Sequence, residues 1–255
     1  MSDIANLYAS LSGYYDQFCA EVDYAEQCAF ASRAFSCFAS SGGRDYLDLA
    51  CGTGPHLQYM EAQGFSLAGL DNSARMLQLA SLKVPSARLL LSDMAELDET
   101  GAFDLVTCFL YSIHYSYPPE KLLETLRCVW RALKPGGIFI FNAVDAAGAC
   151  QAHPVTTQLQ EGDSRLIFES GWHYRGRGDV LDLRLTITRD GPDGAQRWED
   201  HHHMSALSFS ELAGMLESSG FESTFLEHDY TSMRDWDGKS FNVIVVAGRP
   251  IVDNL

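Results

Sequence analysis

The chain has 255 residues, 46% hydrophobic and 20% charged, which suits a globular protein with one sizeable core or a core carrying an inserted lobe. Lys and Arg total 18 against 34 Asp and Glu, and the formal net charge of −16 disfavours nucleic acid and anionic membranes as partners. The N-terminal stretch MSDIANLYASLSGYYDQF lacks the basic region and apolar run of a signal peptide, and no run is apolar and long enough to cross a bilayer, so we expect a cytoplasmic protein.

The first half of the chain reads as alternating helices and strands. Residues 1–40 have aromatic and alanine residues at helical spacing, and SSGG ends that segment. Short apolar runs then alternate with helical stretches up to about residue 144, which predicts βαβ crossovers and a mostly parallel sheet. The predicted strands are 46–50, 66–70, 87–91, 104–109 and 138–142, and the predicted helices are 55–63, 73–83 and 119–133.

The pattern changes in the second half. Strand-like runs at 166–174, 180–188 and 196–206 are separated by the turn signals RGRGD and DGPDG, which predicts an antiparallel meander outside the parallel core. The stretch SFSE is a capping box that begins another helix, which Gly220 ends. Two final strands are predicted at 221–230 and 241–247.

The stretch LDLACGTG ends the first predicted strand, at the edge where open parallel sheets bind ligands. Gly52 and Gly54 leave room for a ligand against the main chain, but Leu57 stands where a dinucleotide fingerprint needs its third glycine. Asp71 ends the second strand, where an acid can accept both hydroxyls of a ribose, and Asp93 ends the third, within reach of an adenine amino group. An acid at a strand end is also a common helix N-cap.

The succession LDLACGTG, GLDNS with RMLQLA, SDM, FDLVTCFLYSIHY and RALKPGGIFIFN resembles the class I S-adenosylmethionine-dependent methyltransferases over residues 44–145. The resemblance implies S-adenosyl-L-methionine as cofactor. It also implies an α/β fold with a Rossmann-like, seven-stranded, mostly parallel sheet, helices on both faces, and the inserted antiparallel meander as a lid. We accordingly divide the chain into a helical segment covering the site (1–43), a cofactor-binding core (44–148 and 207–255) and an inserted lobe (149–206).

The same resemblance implies which residues bind the cofactor. Gly52 and Gly54 would face the methionine part of the cofactor, and Asp71 would bind its ribose. Cys108 and Phe109 would lie under the sulfonium. Met76 or Asn72 would flank the adenine, whose edge Asp93 and Met94 would hold. The full predicted set is Ala50, Gly52, Gly54, Asp71, Asn72, Met76, Asp93, Met94, Cys108 and Phe109.

The whole chain, including the meander and YDQF, further resembles the small-molecule N-methyltransferases that dimethylate nucleotide-linked aminosugars. This implies a small-molecule acceptor, most simply an amine. O-methylation of a natural-product hydroxyl and a non-catalytic S-adenosylmethionine-binding module are the alternatives. Since the meander has open strand edges, we also expect that two copies could pair as a homodimer.

The candidate catalytic and acceptor-binding residues are mostly aromatic. His114 follows the fourth strand and is the leading general base, unless it is a loop histidine bonded to backbone. Tyr115 stands where the aminosugar relatives carry a histidine, and Tyr14 matches the tyrosine that lies over cofactor and acceptor in those relatives. The predicted acceptor-binding residues are Tyr15, Tyr111, Trp172 and His202.

The run WEDHHH raises the question of a metal. His201 and His203 share one face of a strand, which suits two ligands of a metal ion. No carboxylate or third histidine is placed by the sequence to complete the set, so we predict no metal site.

Overall fold

The structure, a computed structural model, describes residues 15–192 and 194–251, apart from the side chain of Tyr15. Its helices are α1 (Tyr15–Phe18), α2 (Tyr24–Phe38), α3 (Pro55–Ala62), α4 (Ala74–Lys83), α5 (Pro119–Ala132), α6 (Ala146–Ala149) and α7 (Phe209–Ser218). Short 3₁₀ turns span Met94–Glu96 and Ser112–Tyr115. The strands are β1 (Asp45–Leu49), β2 (Ser66–Asp71), β3 (Arg88–Leu91), β4 (Phe103–Cys108), β5 (Leu133–Val144), β6 (Val155–Glu161), β7 (Ser164–Tyr174), β8 (Val180–Gly191), β9 (Gly194–Ser205), β10 (Glu222–Glu227) and β11 (Asn242–Gly248).

The first sheet joins seven strands in the order β10-β11-β5-β4-β1-β2-β3. Strands β1 to β5 run parallel, and β11 runs antiparallel to both of its neighbours. The strand order reverses between β1 and β4, so the carboxyl ends of these strands flank the crevice where such sheets bind ligands. The predicted α/β fold with a seven-stranded, mostly parallel sheet is confirmed.

Side chains of the central strand β5 alternate between two hydrophobic cores. Phe139 and Phe141 pack on the face covered by α5 and α7, while Ile138 and Ile140 pack on the face covered by α2 and α3. A strand with both faces covered reads as a continuous apolar run, which explains the composition of GGIFIFN.

The second sheet is the segment inserted between α6 and α7, with strand order β6-β7-β8-β9 and antiparallel pairing throughout. Its inner face carries an apolar cluster that includes Phe168 and Ile187, and Phe18 of α1 packs against it. The predicted antiparallel meander is thus confirmed, although it holds four strands where the sequence indicated three.

Two local features differ from the sequence prediction. The strand β6 was missed because it lies at the edge of its sheet and buries only Thr157, so VTTQLQE carries no apolar alternation. The N-terminal helical segment is interrupted within its described part. Asp23 accepts a hydrogen bond from the Glu26 amide at 2.8 Å and is the N-cap of a separate helix, α2.

Among the described residues, no helix has the length and apolar character to span a bilayer.

Candidate functional site

The loop after β1 has an unusual backbone that one carboxylate holds in place. Ala50, Gly52 and Gly54 adopt φ values of +55°, +55° and +84°. Asp71 at the end of β2 accepts hydrogen bonds from the Gly52 amide at 2.9 Å and the Ser73 amide at 2.8 Å. Burial raises the pKa of Asp71, and these two bonds oppose the rise. The sequence anticipated the position of Asp71, but not that it would bind the glycine loop.

The structure gives Gly54 two reasons to be glycine. Its φ of +84° suits a residue without a Cβ, and an added Cβ would lie 3.3 Å from the Cβ of Ala80 in α4. Tight packing of the loop on α4 therefore explains this glycine without invoking a ligand.

A second carboxylate, Asp48 of β1, is buried beside the loop. Its Oδ1 accepts a hydrogen bond from Thr107 at 3.0 Å, whereas its Oδ2 has no hydrogen-bond partner among the described residues. The nearest ionisable group is Nδ1 of His56, 3.6 Å from Oδ2, and Nε2 of His56 meets Gln27 at 2.7 Å. An unsatisfied buried carboxylate oxygen is costly, so it points to a ligand with a donor.

The carboxyl ends of β1 and β4 border a small cleft that is open to solvent. The His56 ring lies between the rings of Tyr24 and Phe109, with centroids 4.9 Å and 5.1 Å away. Carboxylates and aromatic faces together favour a cationic ligand. The cleft is lined by Tyr24, Asp48, Ala50, Cys51, Pro55, His56, Phe109, Leu110 and Ser112.

The loop after β4 is strained in the same way as the loop after β1. Leu110 and Tyr111 are not glycines, yet their φ values are +55° and +60°. Each such residue costs on the order of 1 kcal/mol and persists only where its surroundings enforce it. Here Asn142 of β5 accepts a hydrogen bond from the Tyr111 amide at 3.1 Å. Strained backbone on both sides of one cleft is typical of a functional site.

An aromatic group beside this loop includes one residue that the sequence did not indicate. Tyr111 meets Trp172 of β7 edge to face at 5.8 Å, which brings together two residues predicted to bind the acceptor. The Tyr111 hydroxyl lies 3.2 Å from Nε2 of His228, and the two rings stack at 5.7 Å. His228 follows β10 in FLEHDY, where no local pattern distinguishes it.

The geometry of His114 argues against the predicted role of general base. The imidazole is buried between backbone groups, with Nδ1 2.8 Å from the Ser205 carbonyl and Nε2 3.1 Å from the Val144 amide. Since a carbonyl only accepts, Nδ1 carries the proton and Nε2 accepts from Val144. Burial lowers the pKa of His114, although the Ser205 bond raises it. Both ring nitrogens are occupied, so neither is left to take a proton from the methyl acceptor. The alternative stated from the sequence, a loop histidine bonded to backbone, agrees with this geometry.

We expect His114→Asn to lower the free energy of unfolding by about 1–3 kcal/mol, since the Val144 amide loses its partner while a donor to Ser205 remains. A lowered histidine pKa gives stability that is present above the unfolded value of about 6.5 and lost as pH falls below it. The variant should therefore unfold in urea with a flatter pH dependence than the wild type. Unchanged stability together with lost turnover would restore the role of base.

Tyr115 and His202 are brought together across the two sheets. The Tyr115 hydroxyl is hydrogen-bonded to Nδ1 of His202, and Nε2 of His202 lies 3.2 Å from Oδ2 of Asp200. Asp200 shares the inner face of the second sheet with His202, since the two are two residues apart on β9. The sequence analysis did not select Asp200, although its partner His202 is only two residues further along the same strand.

Several predicted cofactor residues have structural contacts of their own. Cys108 is fully buried, with its sulfur 3.9 Å from that of Met94, so it lies inside the core rather than on the cleft. Met76 is buried in α4. Asp93 accepts from the Ala95 amide at 3.0 Å and pairs with Lys121 at 2.6 Å, the arrangement of an N-cap with an ion pair. Asn72 is exposed next to Asp71.

Helix α1 is the first described element, and its residues contact the candidate site. Tyr14 and the side chain of Tyr15 lie outside the described residues, so the roles predicted for them stay predictions. The next residue, Asp16, accepts hydrogen bonds from Thr53 of the glycine loop at 2.6 Å and from Lys83 of α4 at 2.6 Å. Phe18 packs edge to face on Phe168 at 5.7 Å. Helix α1 therefore contacts both the glycine loop and the second sheet.

The triple histidine does not gather metal ligands in the structure. His203 is exposed on the outer face, where its Nδ1 lies 2.6 Å from Asp182, while His202 points inward. Over 15–192 and 194–251, no three His, Cys, Asp or Glu side chains are arranged to hold an ion.

Comparison with known proteins relates the chain to methyltransferases. Residues 47–137 match the protein-family model described as Methyltransferase domain. A protein of Saccharopolyspora spinosa named dTDP-4-amino-2,3,4,6-tetradeoxy-D-glucose N,N-dimethyltransferase is 28% identical over 191 residues, which are 71% of this chain and 72% of the relative.

Solved structures share the fold over nearly the full length. The sugar N-methyltransferase KedS8 from Streptoalloteichus superimposes with a TM-score of 0.79 at 22% identity, over 93% of each chain. A S-adenosylmethionine-dependent methyltransferase from Clostridium acetobutylicum gives a TM-score of 0.75 at 22% identity, over 96% of this chain and 99% of the other. The resemblance found in the sequence is thus confirmed at the level of domain and fold.

Proposed function

We propose that this protein, an S-adenosylmethionine-dependent methyltransferase by its domain over residues 47–137 and by its fold, methylates the nitrogen of a small amine-bearing metabolite. The observation that carries the proposal is the cleft between β1 and β4. It combines a carboxylate-held glycine loop, an unsatisfied carboxylate oxygen and facing aromatic rings. These are the groups that a nucleoside carrying two cationic centres requires.

The residues around the cleft fit S-adenosyl-L-methionine. The Asp71 carboxylate would accept the ribose hydroxyls while keeping its bonds to Gly52 and Ser73, because each carboxylate oxygen has two lone pairs. Oδ2 of Asp48 would accept from the ammonium of the methionine part. Phe109 and Tyr24 would present ring faces to the positive sulfur. When bound, the cofactor supplies a methyl group on sulfur that a nucleophile can attack.

The acceptor would lie between the loop after β4 and the inner face of the second sheet, which acts as a lid. Tyr111 and Trp172 offer aromatic surface there, and His202 and Asp200 offer polar groups. The names of the Saccharopolyspora relative and of KedS8 both specify N-methylation of sugars. They support an amine acceptor, for example an aminosugar. The net charge of −16 disfavours nucleic acid as the acceptor.

Calorimetric titration with S-adenosyl-L-methionine, followed by a transfer assay, tests the proposal. We expect binding near one per chain, and formation of S-adenosylhomocysteine when dTDP-4-amino-2,3,4,6-tetradeoxy-D-glucose is added. The matched control is the same sugar nucleotide with a hydroxyl in place of the amine, which should give no turnover.

Each other outcome selects a different function. Turnover with the hydroxyl sugar alone would replace N-methylation by O-methylation. Binding of the cofactor without turnover of any amine or hydroxyl acceptor would indicate a non-catalytic binding module. Absence of binding would overturn the cofactor assignment and with it the whole proposal.

A further inference from the structure

We propose that Tyr115, His202 and Asp200 form a proton relay that deprotonates the acceptor, and that the acceptor is a primary or secondary amine that arrives as an ammonium ion. The inference rests on the proposed function, because it assigns a task within the same site. It follows from the direction of the hydrogen bonds, from the position of the three residues and from the charge on Asp200.

The contacts of the group favour one tautomer of His202. Nε2 faces Oδ2 of Asp200 at 3.2 Å, an ion-pair contact rather than an aligned hydrogen bond. A carboxylate attracts an N–H and repels a bare ring nitrogen, so we assign the imidazole proton to Nε2. Nδ1 is then a bare acceptor, and the Tyr115 hydroxyl donates to it. Tyrosine, histidine and aspartate are thus ordered as the serine, histidine and aspartate of hydrolase triads are, with the hydroxyl at the end that meets substrate.

The relay lies on the inner face of the second sheet, toward the loop after β4. Strand register aligns Trp172, Leu183 and His202 as a row on neighbouring strands. Trp172 meets Tyr111 at 5.8 Å, and Tyr111, Tyr115 and Trp172 pack on one hydrophobic cluster. The Tyr115 ring therefore packs on the same cluster as Tyr111 and Trp172, the proposed acceptor surface, whereas both nitrogens of His114 are bonded to backbone.

The electrostatics favour a neutral imidazole that can take a proton. Burial lowers the pKa of His202, and Asp200 opposes that decrease. Within the described part of the chain, the ionisable groups placed around this ring include Asp200 and His201 of the same strand and Tyr115 from the loop after β4. Its neighbour on β8 is the apolar Leu183. An imidazolium formed here would be stabilised by the adjacent carboxylate.

The proton and the electron pairs balance in two steps. The ammonium gives a proton to the Tyr115 oxygen as the tyrosine proton moves to Nδ1 of His202, leaving a neutral amine and an imidazolium beside Asp200. The amine lone pair then forms the nitrogen–carbon bond to the methyl group as the sulfur–carbon bond breaks and sulfur keeps that electron pair. A hydroxyl acceptor would lose its only proton to the same relay as the oxygen–carbon bond forms, so the relay alone does not select an amine. The amine assignment rests on the proposed function and on the names of the relatives.

Nitrogen NMR of the histidine rings tests the relay without an acceptor. In the wild type, we expect His202 to hold its proton on Nε2, with Nδ1 shifted by a hydrogen bond that disappears in Tyr115→Phe. A proton on Nδ1, or a His202 signal that Tyr115→Phe leaves unchanged, would overturn the relay.

The transfer assay tests the function of the relay with dTDP-4-amino-2,3,4,6-tetradeoxy-D-glucose as the probe, between about pH 5 and pH 8. We expect Tyr115→Phe to lower kcat/KM by about 100-fold. In Asp200→Asn, the loss of the carboxylate should lower the rate and move the pH break to lower pH, because Asp200 raises the pKa of His202. A residue with a merely structural role would not move that break.

A matched pair of variants on the other face of the same sheet provides the control. His203 and Asp182 also form a histidine–aspartate pair, but an exposed one, so His203→Asn and Asp182→Asn should leave rate and pH profile unchanged. If Tyr115→Phe and Asp200→Asn also leave both unchanged, the relay is wrong and the proposed function stands. If the wild type binds S-adenosyl-L-methionine but methylates no amine, the amine assignment fails along with proposed N-methylation.

Discussion

Asp71→Ala is expected to weaken the binding of S-adenosyl-L-methionine by about 100-fold or more, because at least two charge-assisted hydrogen bonds are lost. The carboxylate binds the Gly52 and Ser73 amides in the structure, and in the proposed complex it also accepts from the ribose. The alanine variant loses the ribose contact and the preorganised glycine loop together. Calorimetric titration of both proteins measures the difference directly.

Asp237→Ala is the matched control for this variant. Asp237 also accepts two backbone hydrogen bonds, from the Lys239 and Ser240 amides at 2.9 Å each, but it does so in an exposed turn away from the cleft. Its removal should leave the affinity for the cofactor unchanged. Binding by Asp71→Ala within about threefold of the wild type would contradict the assigned role of Asp71.

Asp104→Ala is expected to lower the free energy of unfolding by about 3 kcal/mol without weakening cofactor binding. Asp104 is buried at the amino end of β4, the opposite end from the cleft. It accepts from the Gly43 amide at 3.2 Å, the Asp45 amide at 2.8 Å and Lys134 at 2.8 Å. Alanine would leave two amides without their partner and would remove one of the two carboxylates that bind the Lys134 ammonium, the other being Asp45. Urea unfolding of the two proteins at neutral pH is the measurement.

The pH dependence gives this prediction a second readout. Burial alone would raise the pKa of Asp104, but Lys134 and the Asp45 amide lower it more, so the net shift is downward. The stability that this group supplies is therefore complete above the unfolded pKa of about 4 and is lost as pH falls through the folded value. Asp104→Asn keeps the volume and removes the charge. If both variants are as stable as the wild type at neutral pH, the assignment is wrong.

The parts of the fold that local sequence patterns encode were predictable. Apolar runs at strand spacing located β1 to β5, and the capping box located the start of α7, because those signals involve residues close together in the chain. β6 was not predicted because this edge strand buries only Thr157 and half-buries Leu159, which is too weak an apolar alternation to recognise. The family resemblance, not periodicity, supplied the number of strands in the first sheet.

The candidate site likewise contains residues that a local motif predicts and residues whose partners are distant in the chain. Asp71 and the glycine loop follow from a short motif, and their contact joins neighbouring strand ends. His114 could not be interpreted from sequence, because its partner Ser205 is 91 positions away, on the last strand of the second sheet. His202 and His228 could not be assigned partners from the sequence, because only packing brings them against Tyr115 and Tyr111.

The hydrogen bonds at the root of the second sheet restrict how that sheet can move. His114 joins the Val144 amide to the Ser205 carbonyl, and the Ser205 hydroxyl donates to Ser116 at 2.8 Å, all within one buried corner. At the far end, the sheet meets the rest of the chain through side chains of α1, such as Phe18. Ser205 is therefore anchored to the core by two buried hydrogen bonds, one with the His114 ring and one with the Ser116 carbonyl, so this end of the second sheet cannot separate from the core without breaking both.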